Sequence, residues 1–284
     1  NQQASNTLTQ HTYTLDAVGN RTAVNETLAQ VGGGTTTNNV TYSYDKLYRL
    51  TGDGTRSYTY DPVGNRTSLT QGGTTGYTYD RADRILTAGA TGYTVDATGN
   101  TTARGTDTFA YDQANRLTSA TVAGTTTTYA YDGDGKRASQ TTGANTTSYV
   151  YDADRSLPVV LSDGSRKYVW GAAGLAYSVD NAGALGVSHA DGLGSVRALT
   201  DGAGTLVGTY LTDPFGMVLA TGGANTQPFG FSGAQRENTG LYYLRARYYD
   251  PALGRFLSRD DFIGNPNPPV RSTATPTLPT TPST

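Results

Sequence analysis

The side chains that could do chemistry are few and scattered. The chain has 284 residues, two histidines and no cysteine. His11 and His189 lie far apart in sequence, so they suggest neither a zinc cluster nor a catalytic triad. Asp260 and Asp261 are adjacent carboxylates. They read either as a polar turn or as half of an aspartic site, which needs two carboxylates sharing a proton. Asp132-Gly-Asp134-Gly135 has the look of a calcium loop, but Gly143 stands at its twelfth position, where an EF-hand loop needs Glu. A repeat turn is the expected reading there. Arg21, Arg49, Arg66, Arg84, Arg116 and Arg137 recur at similar places. They could line a ligand stripe, but pairing with Asp or stacking on Tyr is expected. Six Asn-x-Thr sequons occur, at Asn20, Asn25, Asn39, Asn65, Asn100 and Asn145, and two of them fall inside a recurring Gly-Asn-Arg-Thr turn. No cofactor, metal site or complete catalytic set emerges.

The elements that hold these residues come from a repeat. Tyr-Asp or a variant recurs at Leu15-Asp16, Tyr44-Asp45, Tyr60-Asp61, Tyr79-Asp80, Val95-Asp96, Tyr111-Asp112, Tyr131-Asp132 and Tyr151-Asp152. After a first gap of 29, the Asp spacings are 16, 19, 16, 16, 20 and 20. The run Gly32 to Asn39 inside the long gap reads as an enlarged loop. Upstream of each Asp, alternation such as Ser57-Tyr58-Thr59-Tyr60 puts both aromatics on one strand face. The Asp carboxylate then accepts from backbone N–H groups two or three residues on, and Gly-Asn supplies left-handed positions. Arg and Thr open the return strand, so each repeat is a β-hairpin. One hairpin is not stable alone, so the expected object is a stack of hairpins in a twisted, spiralling sheet.

Composition agrees. Gly numbers 36 and Tyr 21, against one Met and one Trp, and only 15% of residues are charged, with a net charge of −2. Strand formers and turn formers dominate, so an all-β chain with an aromatic core and almost no helix is expected. No basic patch points to nucleic acid, and no apolar run is long enough to span a membrane. No signal peptide is legible, and a chain opening on Asn1 reads as processed or as a fragment.

The second half has its own signature. It includes His189-Ala-Asp191-Gly192-Leu-Gly194-Ser-Val-Arg197 and Asp213-Pro214-Phe215-Gly216. It then runs from Gly240 to Asp260 through Tyr248, Tyr249, Asp250, Pro251, Gly254, Arg255 and Phe256. These stretches resemble the RHS repeat-associated core domain, and the upstream copies resemble RHS/YD repeats, over about residues 13–264. The resemblance implies a shell wound from one long β-sheet, enclosing a C-terminal toxic segment in toxin members, with an aspartic self-cleavage site after the core. Here Ser258-Arg259-Asp260-Asp261-Phe262-Ile263-Gly264 matches the first half of that site, and the second aspartate is absent. Self-cleavage is therefore not expected.

The organisation expected is YD repeats over 1–160, the core domain over 161–264, and a Thr/Ser/Pro linker over 265–284. The function expected is an extracellular or cell-surface scaffold or shell. Its expected partners are neighbouring repeats or copies of itself and a C-terminal cargo. A self-cleaving toxin shell and a glycan- or cell-binding adhesin are the alternatives. The repeat residues Tyr44, Asp45, Tyr60, Asp61, Tyr79, Asp80, Tyr111, Asp112, Tyr131, Asp132, Tyr151 and Asp152 are expected to be structural.

Overall fold

A computed structural model describes residues 7–152, 154–155, 157–224 and 227–260. Asp261 and the 265–284 tail lie outside the described residues. The described chain is antiparallel β throughout, with the three-residue 3-10 turn Phe231–Gly233 as its helical element. It forms two compact units. Among the described residues, one joins 7–42 to 147–237, and the other joins 43–146 to 238–260. Each unit thus takes residues from both sides of position 160.

The second unit is built on a thirteen-stranded sheet in which each strand pairs with its neighbours in sequence, from Ser43–Tyr44 to Asn145–Ser148. In the first unit, eight strands from Val150–Asp152 to Val218–Gly223 form a second ladder of the same kind. There a separate three-stranded sheet holds Thr9–Leu15, Arg21–Ala29 and Thr35–Thr41. The strand Thr35–Thr41 corrects the expected loop. It pairs residue by residue with the preceding strand, from Ala29↔Thr35 to Ala23↔Thr41, and the turn shrinks to Gln30–Gly34. Cross-strand pairing overrides the weak strand preference of Asn38 and Asn39.

One turn recurs through both units. At Asp61 the backbone N–H of Gly64 donates to the Asp61 carbonyl at 3.1 Å, and the Asp61 N–H donates to the Asn65 carbonyl at 2.9 Å. Gly64 has φ +103°, in the left-handed region. This is a type I turn closed by a bulge, whose twist suits a hairpin. The carboxylates of Asp16, Asp45, Asp80, Asp96, Asp112 and Asp132 accept from N–H groups two and four residues on, rather than two or three. One residue per turn is left-handed, not the Gly-Asn pair. It is Gly19, Gly64, Gly99 or Gly135 in some copies, and Tyr48, Asp83 or Asn115 in others. The same Asp-x-x-Gly turn continues after residue 160 at Asp180, Asp191, Asp201 and Asp213, where the Tyr beside the Asp is gone.

In four copies the tyrosine before the Asp ties its hairpin to the one before. Tyr60, Tyr79, Tyr111 and Tyr131 donate to the carbonyls of Leu50, Arg66, Thr101 and Leu117, at 2.7 to 3.0 Å. Each acceptor lies five residues after the preceding turn's Asp, which makes a rung between repeats. Trp170 does the same in the first unit, donating from Nε1 to the Val160 carbonyl at 2.7 Å. The aromatic two residues earlier points the same way and is buried, as at Tyr58, Tyr77, Phe109 and Tyr129.

Candidate functional site: the arginine–tyrosine face under the C-terminal hairpin

The recurring arginines are two sets one residue apart, and in a strand that offset reverses the face. Arg49, Arg84 and Arg116 stand four residues after their Asp and pair with Asp45, Asp80 and Asp112 at 2.6 to 2.7 Å. Arg66 and Arg137 stand five residues after theirs and point inward. Arg66 is 7% exposed and Arg137 fully buried. The first set, alternating with Asn65 and Asn100, stitches turn to turn. Arg49 donates to the Asp61 carbonyl, Asn65 to the Asp83 carboxylate, Arg84 to the Asp96 carbonyl and Asn100 to the Asn115 side chain. The turn carboxyls are tuned by bonds inside their own turns. Burial alone would raise Asp61, but bonds from Asn65 and the turn N–H groups hold it below the usual carboxylate range.

The inward set meets the end of the chain. Three strands, Tyr242–Leu244, Arg247–Asp250 and Arg255–Phe256, pair antiparallel and present Leu241, Tyr243, Tyr248 and Leu257 to Phe109, Leu117, Ala120 and Tyr129. Leu253 fills the next space, against Tyr77 and Ile85. Polar contacts fix the register. Arg137 donates to the Tyr248 hydroxyl at 2.9 Å, and its guanidinium lies 4.2 Å from the centre of the Tyr243 ring. Arg66 donates to the Tyr77 hydroxyl at 3.0 Å and to the Ala252 carbonyl at 3.1 Å. Arg104, which sequence reading passed over, bridges Asp107 at 2.8 Å and Asp250 at 2.7 Å. Asp250 is 1% exposed, and its other oxygen accepts from the Ala252 N–H at 2.9 Å. Arg255 reaches two turns at once, donating to the Asn65 side chain and the Asp83 carbonyl. The Thr101 N–H donates to the Leu257 carbonyl at 2.7 Å.

The expected core-motif residues therefore come together. Tyr248, Tyr249, Asp250, Pro251 and Gly254 are buried, and Arg255 and Phe256 half-buried. Burial pushes the Tyr60 and Tyr93 hydroxyls up to about 12, and those of Tyr111 and Tyr131 higher still, so Tyr60, Tyr111 and Tyr131 keep the proton they donate in the rungs. Tyr44 and Tyr151 are half-buried, and Arg155 donates to Asp152 at 3.0 Å. Lys136 reaches Asp134 at 2.6 Å, so the calcium-like run is one more repeat turn. Asp260 is paired with Arg247 at 2.7 Å, and its side chain is 55% exposed. Among the described residues, no three His, Cys, Asp or Glu side chains could hold a metal together. No helix among them is long and apolar enough to cross a membrane. The arrangement can anchor a chain end firmly to a sheet face.

Comparison with known proteins matches the Teneurin YD-shell family model to residues 7–278. The chain is 31% identical over 273 residues to the tRNA3(Ser)-specific nuclease WapA of Bacillus spizizenii, covering 89% of this chain and 10% of that protein. It is 38% identical over 93 residues to the toxin protein Tse5 of Pseudomonas aeruginosa, covering 32% of this chain and 7% of that one. The chain thus spans about a tenth or less of these relatives' length. The crystal structure of TcdB2-TccC3 matches with a TM-score of 0.71 at 20% identity, over 89% of this chain and 16% of that chain. A Photorhabdus luminescens Tc holotoxin pore matches with a TM-score of 0.71 at 23% identity, over 89% and 15%. These structures share the fold.

Proposed function

Since the chain belongs to the Teneurin YD-shell family, we propose that it is one stretch of a secreted shell wall, and that its C-terminal hairpin anchors a toxin cargo that follows it. That it is a structural scaffold follows from the stacked hairpins and the family. The cargo and the secreted setting are our reading. One observation carries the anchor: Asp250, buried to 1%, is held by Arg104 across 146 residues of sequence. A chain leaving such a hairpin starts from a fixed point. We assign the Tyr-Asp residues to hairpin closure and rungs, and we keep 1–160 as repeats and 161–264 as core. The pairing of Asp260 with Arg247 favours a closing turn over a protease carboxyl, because a guanidinium already engages its carboxylate.

Chymotrypsin treatment of the full-length gene product, followed by mass spectrometry, tests the anchor. Bonds after Tyr242, Tyr243, Tyr248 and Tyr249 are expected to survive long after the bond at exposed Tyr48 is cut. Cleavage at Tyr243 or Tyr248 as early as at Tyr48 would overturn the reading.

A further inference from the structure

The first unit holds a buried ionic cluster that the scaffold alone does not require. Glu26, 3% exposed, sits in the strand Arg21–Ala29 of the three-stranded sheet. Its Oε1 accepts from Arg197 Nε at 2.7 Å and Nη2 at 2.5 Å. Arg197 comes from Val196–Thr200, in the eight-stranded ladder, and also donates to Thr212. Asn38 donates to Glu26 Oε2 at 3.1 Å. Close by, the Gly192 N–H donates to the Tyr13 hydroxyl at 3.0 Å, and a Cβ on Gly192 would fall 2.9 Å from that ring. Together these contacts clasp the three-stranded sheet to the ladder.

His11 sits on the clasp. Its Nδ1 lies 3.3 Å from the same Glu26 oxygen that Arg197 uses. Donation from Nδ1 leaves the proton off Nε2 in the neutral ring. Nε2 is buried and has no hydrogen-bond partner among the described residues. A second proton would therefore create a buried N–H with no acceptor, which costs the closed state. The charges facing the ring are mixed. Glu26 and Asp191 favour a proton, Arg197 and Arg21 oppose it, and Tyr13 stacks on it at 6.3 Å. Burial is the largest influence and lowers the histidine below its ordinary value.

We propose that this cluster is an acid-released clasp, in which a proton taken up by His11 Nε2 opens the seam between the three-stranded sheet and the strands Val196–Thr200 and Leu206–Thr212. The sign follows from linkage. The open state takes up its proton near the ordinary histidine value of about 6.5, and the closed state only at lower pH. The clasp has its full stability above about 6.5 and loses it as pH falls, its opening constant rising at most about tenfold per pH unit for one proton.

His189 supplies the control. It pairs in register with Ala198, and alternation puts it on the opposite face from Arg197. Its Nε2 lies 3.0 Å from Thr200 Oγ1, and burial lowers it too. Hydrogen exchange of the intact chain, corrected for intrinsic rates, tests the proposal from about pH 7.5 to about pH 5. Amides in 9–41 and 191–200 are expected to lose protection, while those in 57–142 hold theirs. His11→Gln should abolish the step and His189→Gln should keep it. No step in the wild type, a step surviving His11→Gln, or a step lost in His189→Gln would overturn the proposal. Should His11→Gln not fold, proton NMR titration of wild-type His11 decides. A midpoint below about 6.5 supports the clasp and one at or above it contradicts the clasp.

Discussion

A single aspartate at the C-terminal hairpin shows how residue chemistry fixes this molecule. Asp250 and Arg104 are both shielded, with side chains 2% and 17% exposed. Removing one partner of such a pair strands the other, at a cost of about 3–5 kcal/mol. Asp250→Ala is therefore expected to lower unfolding free energy by about 3 kcal/mol, read by urea denaturation. A loss under about 1 kcal/mol would show that the pair does not hold the hairpin down. The same substitution at a turn carboxylate such as Asp134, 82% exposed, touches far less. Burial and partner separate the two, not residue type.

At the scale of the element, the turn decides. Most copies place Gly, Asn or Asp at the left-handed position, whereas one places Tyr48 there, at φ +61°. A bulky L-residue in that region carries about 1–2 kcal/mol of strain, against a smaller entropic cost for glycine. Tyr48→Gly is expected to raise stability by up to about 1 kcal/mol in the same denaturation assay, and a loss would contradict the turn assignment. Much of this element was legible in sequence. Tyr alternation gave the strands and Asp gave the turns. The offset between Arg66 and Arg116 was not seen, because both follow an Asp closely and only the ladder shows which face each takes. The strand Thr35–Thr41 was hidden by its own Asn content and by the glycine run just before it. Turns at Asp180, Asp191, Asp201 and Asp213 were blurred because the Tyr signal stops, although Asp-x-x-Gly persists. The partnership of Arg104 with Asp250 could not be read at all, since it joins residues 146 apart.

At the scale of the molecule, the chain is a stretch of YD shell whose stability comes from repetition. No hairpin buries enough alone, and each borrows a rung, a turn contact and a ring from the next. The C-terminal hairpin differs in that it covers the inward face of many repeats at once, touching Arg66, Arg104 and Arg137 along the thirteen-stranded sheet. That cover is the central claim, and electron cryomicroscopy of the full-length gene product tests it most directly. The expected map shows Tyr242–Phe256 seated on the tyrosine face of the 57–142 strands, with Asp250 against Arg104 and Tyr248 against Arg137. A map in which that face is bare, or is covered by another segment, would contradict the account.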